Sequence, residues 1–366
     1  MVILKRLYKK IFQNNLLQGK IAKIIFFALA INLFFGTLFY WAEKNVQHDL
    51  NFLEAVWWAM VTMTTVGYGD FYAQTNWGRF LISYPCMLVG IGIIGYLVGV
   101  IAERVMEHIS KKKRGLMKLK IKNHIIICNF PHLEKVLRLI QEVNYSGKYK
   151  ISSFVLLTNK IDGLPEELQK LNVSFVKGDP TKEEALHRAN IVECEGVFIL
   201  ADDPKDPASD SKTFAIGTII EMMETEIGRP IKVVVELVSK DNLKMMQRSH
   251  VDGIVSADGI MDGLLAQEFL YPGIHDIFHQ IITSAEGSQF YILDTKLQGH
   301  KISDIQIAVL RHPSNLQVIG ISRGSKKYLN PPKSQVIKAG DKLIMLAERR
   351  SDFEAIERDI LNKDTK

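Results

Sequence analysis

Two uncharged apolar runs, residues 24–41 and 80–102, constrain this chain more than anything else in it. Eighteen residues of helix reach about 27 Å, which spans a bilayer core with help from the flanks. Asn32 is the only strongly polar residue of the first run. Lys5, Arg6, Lys9, Lys10, Lys20 and Lys23 precede it, and Arg104, Lys111, Lys112, Lys113 and Arg114 follow the second. Basic flanks mark the cytoplasmic side, so both termini are expected there, in an inner membrane, with Tyr40 and Trp41 at the outer interface. The chain has 366 residues, room for two or three domains, and its 47% hydrophobic content crowds into the first third. A membrane portion followed by a soluble portion fits that distribution. The net charge of +6 sits at the membrane flanks rather than on a soluble basic face, which argues against a nucleic-acid partner. Cys86, Cys128 and Cys194 stand in apolar surroundings at unrelated spacing and form neither a disulfide framework nor a metal pattern. Residues 1–23 alternate basic and apolar positions, as in a helix lying on the inner leaflet or a frayed basic tail. They do not read as a secretory signal, because the apolar run is long, late and without a small-residue cleavage site.

Between the two runs lies Thr64-Thr65-Val66-Gly67-Tyr68-Gly69-Asp70. Glycines that adopt φ > 0 at little cost, alternating with Val66 and Tyr68, let carbonyls turn toward one axis while side chains pack outward. The Thr65 hydroxyl adds an oxygen at the inner end. Four copies around an axis complete a cage for a weakly hydrated monovalent cation. The alternative is a Gly-rich surface turn, which the flanking segments fit badly. Thr65, Val66, Gly67, Tyr68, Gly69 and Asp70 match without a gap the T-V-G-Y-G-D signature, and the chain resembles potassium channels there. The resemblance implies a homotetramer in a lipid bilayer with K+ as the permeant ion.

Residues 52–63 are too few to span and lead straight into this stretch, as a re-entrant pore helix would. Asn51 and Glu54 have capping-box spacing. The helix C-terminus would face the cavity, where its partial negative charge favours a cation. Trp57 and Trp58 match the family's aromatic cuff, whose rings brace Tyr68; interfacial anchoring is the alternative. Val61 stands where some members carry a carboxyl that pairs with the filter Asp, so Asp70 is expected to lean on Trp58 instead.

The second run carries Gly90, Gly92, Gly95 and Gly99. Glycine costs about 0.5–1 kcal/mol in a helix interior relative to Ala, so four invite an explanation. Close helix packing, as at Gly95 and Gly99, and an inner-gate hinge both supply one. Glu103-Arg104 resembles the end of the inner helix in calcium-gated archaeal members, which puts Gly99 at a pore-lining position. Residues 111–122 then read as a polar, basic, extended tether.

The remainder alternates strands and helices. Strands are expected at 124–128, 153–157, 173–176, 197–200 and 232–237, with helices at 132–143, 165–171 and 213–223. Such alternation implies right-handed crossovers and a doubly wound parallel sheet. The segment Gly178-Asp179-Pro180-Thr181-Lys182-Glu183-Glu184-Ala185-Leu186, followed by Ala189-Asn190-Ile191, resembles the most recognisable motif of RCK domains, regulators of potassium conductance. Residues 260–284, broken at Pro272-Gly273, match the helix–turn–helix that swaps between paired RCK domains. Residues 288–347 are similar to the small α+β C-terminal lobe. The expected organisation is therefore 1–23 N-terminus, 24–103 pore domain, 104–122 linker, 123–253 Rossmann-like RCK N-lobe, 254–285 crossover helices and 286–366 C-lobe.

A doubly wound sheet binds ligands beyond the carboxyl ends of its strands. The first such loop, Asn129-Phe130-Pro131-His132-Leu133-Glu134, lacks glycine at all three fingerprint positions, and Pro131 removes an N–H. Asn129 still tolerates a left-handed backbone. The resemblance implies an adenine nucleotide, ADP, ATP or NAD, with Asn129, Phe130, Asn159, Lys160, Gly178, Asp179, Thr181 and Asp202 as candidate contacts. A cleft filled by its own side chains is the alternative. Calcium is the second candidate: Asp202, Asp203, Asp206 and Asp210 gather carboxylates, as Ca2+ requires. Asp203, Asp206, Asp210 and Glu236 are the candidate ligands. Asp210 and Glu236 match two acidic positions of the calcium-gated relatives, whereas Val238 replaces a third. A solvated acidic loop explains the same residues. His275 and His279 share a helix face, but with no third ligand nearby they read as dimer packing.

The expected protein is a ligand-gated potassium channel, not an enzyme, whose RCK domains pair into a gating ring. In relatives that ring holds two RCK domains per pore subunit; a free copy, started at Met106 or Met117, or another region would complete it. A membrane-anchored oxidoreductase would require a glycine fingerprint and an acid–base pair near the cleft, and neither is visible. A separate nucleotide-binding regulatory subunit would not carry a filter.

Overall fold

The computed structural model describes residues 16–145, 153–283, 285, 287–313, 315–349 and 351–364. The expected amphipathic helix within residues 1–23 lies mostly outside them. The chain divides into two compact units at Lys111/Lys112.

In the first unit, helix α1 (Leu16–Glu43) precedes the short helix α2 (Phe52–Met63). Asn51 caps α2 as its spacing predicts, its Oδ1 accepting the Glu54 N–H at 2.9 Å. The two helices cross closely because Gly36 lacks a side chain: a Cβ there would sit 2.8 Å from the Val56 Cα. Phe35, Phe39, Ala55, Trp58, Ala59 and Met63 are buried at this crossing. A π-helical turn (Gly78–Ser83) opens helix α3 (Tyr84–Lys113). Residues 22–43 and 78–113 are long and apolar enough to cross a membrane. Helix α3 runs ten residues past Glu103, so the expected extended tether is helical in its first part.

The second unit opens with a six-stranded parallel sheet of order β3-β2-β1-β4-β5-β6. Its strands are β1 (His124–Cys128), β2 (Phe154–Thr158), β3 (Ser174–Lys177), β4 (Cys194–Ile199), β5 (Lys232–Leu237) and β6 (Gly253–Ser256). Strand β1 shows why both faces are covered. Ile126 and Cys128 enter one buried cluster and Ile125 and Ile127 the other, as the two-residue period dictates. The sequence reading missed β6, which is short and only half-buried. Helices α4 (Leu133–Tyr145), α5 (Glu166–Lys170), α6 (Glu183–Arg188) and α7 (Ser209–Ile227) connect the first five strands. The strand order reverses between β1 and β4, which opens a crevice at their carboxyl ends.

After the one-turn helix α8 (Leu243–Met246) come α9 (Ile260–Leu270) and α10 (Ile274–Ile282), neither of which buries a described residue. They are joined through Gly273 at φ 99, whose N–H donates to Glu268 Oε1 at 2.9 Å. Then an antiparallel sheet of order β7-β10-β8-β9 packs against α11 (Ile302–Arg311) and α12 (Ser351–Asp364) around Leu297, Ile305, Leu343 and Phe353. Its strands are β7 (Gln289–Asp294), β8 (Leu316–Arg323), β9 (Lys326–Leu329) and β10 (Lys342–Ala347).

Candidate functional site: an ion filter and a sheet-end cleft

The filter stretch takes up an alternating backbone. Thr65, Gly67 and Gly69 lie at φ 61, 59 and 78, whereas the intervening Val66 and Tyr68 do not have positive φ. Alternation of hand lets successive carbonyls face a common direction. Left-handed Thr65 was not foreseen; a non-glycine residue held there costs on the order of 1–3 kcal/mol. The end of α2 supports it: Thr65 N–H donates to Thr62 O at 3.1 Å and Val66 N–H to Val61 O at 3.0 Å.

Two tryptophans divide the work of bracing. Trp57 stacks on Tyr68, with ring centroids 5.9 Å apart and planes within 7°, and donates its Nε1–H to Asp70 Oδ2 at 2.8 Å. That hydrogen bond, foremost, holds the Asp70 carboxyl below its ordinary range. The expected partner was Trp58, but Trp58 points the other way and stacks on Phe39 at 3.6 Å. Adjacent residues on a helix do not share a face, so only one indole can reach Asp70. Val61 is buried.

A carboxylate the sequence reading missed fixes the outer loop. Glu43, buried at the end of α1, accepts from Gln74 N–H at 3.1 Å, Thr75 N–H at 3.0 Å and the Thr75 hydroxyl at 2.7 Å. Gly78 leaves it room, since a Cβ there would come 2.1 Å from Oε1. The signal available in sequence was a lone Glu closing an uncharged span.

The four inner-helix glycines separate into two kinds. A Cβ on Gly90 would lie 2.4 Å from the Met63 carbonyl oxygen, so Gly90 lets α3 pass under the foot of the pore helix. Around Gly92, Gly95 and Gly99 nothing lies within 4 Å of such a Cβ. Packing within one chain does not explain those three.

In the second unit, the crevice between β1 and β4 collects most of the nucleotide candidates. Asn129 ends β1 at φ 71, left-handed as a fingerprint glycine would be, and is fully buried. Its Nδ2–H donates to Leu200 O at 2.8 Å, while Oδ1 is buried without a hydrogen-bond partner. Phe130 packs on the neighbouring buried cluster. Lys160 binds the Asp202 carbonyl and approaches its Oδ1 at 3.1 Å, and Lys212 approaches Oδ2 at 3.3 Å. Asn159 is exposed beside Lys160. At the end of β3, Gly178 N–H donates to Thr158 O at 3.1 Å. Asp179 Oδ1 then accepts from the Thr181 N–H at 3.0 Å and hydroxyl at 2.8 Å. Burial pushes the Asp179 carboxyl up, but these two bonds and nearby lysines outweigh it, and the net shift is downward.

The calcium candidates do not converge. Asp210 is fully buried, with Oδ1 accepting Val238 N–H at 2.8 Å and Oδ2 accepting Ser239 N–H at 3.0 Å and Asn242 Nδ2–H at 2.8 Å. It ties α7 to the loop after β5. Glu236 pairs with Lys135 and accepts the Ala201 N–H at 3.0 Å. Asp203 and Asp206 each accept a backbone N–H two residues on, both at 2.9 Å. Among the described residues, no group of three or more His, Cys, Asp or Glu is placed to hold a metal ion. In the single chain each of these carboxylates accepts backbone N–H groups or pairs with a lysine. His275 and His279 stand 6.5 Å apart between ring centroids.

A two-span unit with an alternating filter, followed by a doubly wound domain, defines an ion-channel subunit. Residues 27–107 match the family model described as ion channel, and 120–235 the calcium-activated potassium channel slowpoke-like RCK domain. Residues 259–361 match Castor and Pollux, part of voltage-gated ion channel. In the order of these matches the chain resembles the potassium channels that join a two-span pore to an RCK domain. It is 27% identical over 335 residues to the calcium-gated potassium channel TvoK of Thermoplasma volcanium, covering 90% of this chain and 92% of that one. It is also 27% identical to probable potassium channel protein 2 of Methanocaldococcus jannaschii, over 81% of this chain and 85% of the relative. Among solved structures, the human SLO3 gating ring matches 65% of the chain at 15% identity and a TM-score of 0.50. The GsuK channel bound to NAD matches 93% at 16% identity and a TM-score of 0.44. The chain spans 46% and 59% of the lengths of those two solved chains.

Proposed function

We propose that four copies of this chain form a potassium pore in an inner membrane, both termini cytoplasmic, gated by an adenine nucleotide in the β1–β4 crevice. The observation that carries the ligand is Asn129: buried, left-handed, with an unpartnered Oδ1 at the switch point of the sheet. Lys160 and Lys212, both spent on Asp202, supply cations that a diphosphate would recruit. Lys20, Lys23 and Lys111–Arg114 support the orientation. The chain performs no bond chemistry in this reading. RCK domains pair through α9 and α10, whose apolar side chains such as Met261, Leu265 and Phe269 are exposed in the single chain. A free RCK copy beginning at Met106 or Met117 would complete the ring, and a blot for a shorter product tests that.

Energetics make a modest site sufficient. Moving a gate from about 1% to 99% open takes roughly 5.5 kcal/mol of differential binding, or ~1.4 kcal/mol at each of four sites. Calcium is the second reading, favoured by the name of the Thermoplasma relative. Single-channel recording of the purified channel in planar bilayers separates the two. Reversal at the potassium equilibrium potential, with open probability moved by ADP or NAD, supports the proposal. A response to calcium alone favours the second reading, and current that does not discriminate potassium from sodium removes the pore assignment.

A further inference from the structure

The residues expected to be an extended tether are fastened to the RCK domain, most of their hydrogen bonds falling on one short stretch of it. Leu119 N–H donates to Arg188 O at 2.9 Å, and Arg188 Nη1–H donates to Gly115 O at 3.3 Å. Asn190 Nδ2–H donates to Ile121 O at 2.7 Å, and Asn123 N–H to Glu193 O at 2.9 Å. The Lys122 ammonium meets Glu193 at 3.0 Å, and His124 Nε2–H donates to Ala189 O at 2.9 Å. Every one of these contacts falls on residues 188–193. Leu119 and Ile121 also pack against the buried cluster of the sheet.

Arg188 reaches further. Its Nη2–H donates to Lys177 O at 2.7 Å, and Lys177 N–H in turn donates to Gly115 O at 2.9 Å. Gly178 makes room for the guanidinium, since a Cβ there would lie 2.8 Å from Nη2. Gly115, at φ 65, lies so close that its own Cβ would come 2.5 Å from Lys177 N. The segment that begins with the Gly178–Thr181 turn at the crevice thus ends, one helix α6 later, in the residues that grip the chain leaving α3.

We infer that Arg188 and Asn190 are positioning residues for gating: they pass a displacement of the Gly178–Thr181 turn to residues 115–121, and so to the inner helix. This rests on the crevice being the ligand site. Six-residue α6 is too short to absorb the displacement by bending, and the chain between Lys113 and Gly115 is a single residue, Arg114. Neither Arg188 nor Asn190 is among the candidate nucleotide contacts, and Asn190 binds the Ile121 carbonyl, so removing the Asn190 amide separates binding from response.

The test uses the full-length channel with ADP and NAD as probes, binding measured by calorimetry and open probability in bilayers. Asn190→Gly suits it, because Asn190 is left-handed at φ 58 and glycine keeps that backbone while deleting the amide. Arg188→Gln is the second variant. The expected result is nucleotide affinity within about twofold of the parent, with the nucleotide effect on open probability cut at least about fivefold, the low end of ordinary coupling. Trypsin should also cut faster at Lys118, Lys120 and Lys122 in both variants. Parental binding together with a parental response overturns the inference, as does loss of binding in step with response. If the parent binds neither nucleotide, the crevice reading falls alone. The grip is then judged by resting open probability: a shift in Asn190→Gly supports it and no shift overturns it.

Discussion

Trp57 and Asp70 are joined by an indole hydrogen bond of 2.8 Å, and the same indole stacks on Tyr68. One side chain therefore holds the filter's outer acid and its only ring. Trp57→Phe keeps the stack and deletes the bond. It should shorten open bursts several-fold while leaving the reversal potential unchanged; single-channel dwell times read the first and a potassium–sodium bi-ionic gradient the second. Trp58→Phe, which touches Phe39 instead, should leave the bursts alone.

The glycines of α3 should divide on substitution. Gly90→Ala forces a Cβ into the Met63 backbone at 2.4–2.5 Å, overpacking that costs about 1–3 kcal/mol. Lower tetramer yield and a lower melting temperature in detergent are expected. Gly99→Ala, with nothing nearby in its own chain, should assemble normally and change gating only.

His124 sets a pH limit on the RCK domain. Burial holds its imidazole below the ordinary 6.5, against the pull of Ala189 O, and its Nδ1 is buried without a hydrogen-bond partner. Below about pH 6.5 the unfolded chain takes up a proton that the folded one refuses. Stability present above the unfolded pKa is therefore lost as the pH falls toward the folded value. The melting temperature of the channel should drop from about pH 7.5 to about pH 5.5, and His124→Gln should flatten the slope. An unchanged slope assigns the effect elsewhere.

Arg323 and Asp341 anchor the C-lobe. The guanidinium grips the buried carboxylate in a fork, at 2.8 Å from Nε and 2.6 Å from Nη2, and that contact foremost holds the Asp341 carboxyl low. Arg323→Met leaves the buried Asp341 carboxylate without its charged partner, so a lower denaturation midpoint is expected, moderated because Arg323 is a third exposed. Chemical denaturation followed by C-lobe hydrogen exchange measures it. Because the Asp341 pKa is depressed, its contribution is present above the unfolded value and lost as the pH falls through the folded one.

At the crevice, Lys160→Ala should weaken ADP binding about tenfold, as loss of one charge-assisted contact would. Calorimetry on the purified channel reads it, and unchanged affinity removes Lys160 from the site.

The sequence carried the pore well because its constraints are local. The Asn51 cap, the length of α2 and the filter glycines each depend on a few adjacent residues. The first five strands and their parallel, doubly wound arrangement followed from alternation and crossover handedness, whereas their order in the sheet did not. What stayed hidden depended on direction or distance. Which indole reaches Asp70 turns on helix phase. Glu43 finds its partners 31 and 32 residues away. Asp210 accepts from the N–H groups of Val238 and Ser239, 28 and 29 residues away, a pairing that no local pattern shows. The docking of residues 115–123 was illegible because their charges advertise solvent while much of the binding is done by their backbone and by Leu119 and Ile121.

The alternating filter has a consequence for what counts as part of this protein. Aligned carbonyl dipoles repel one another, and left-handed Thr65 adds strain to the same few residues. Whatever neutralises that repulsion stabilises the conformation by mass action, as any bound ligand does. In the proposed pore an ion held there would therefore also be a structural ion, and the filter emptied of it would lose a share of its own folding energy.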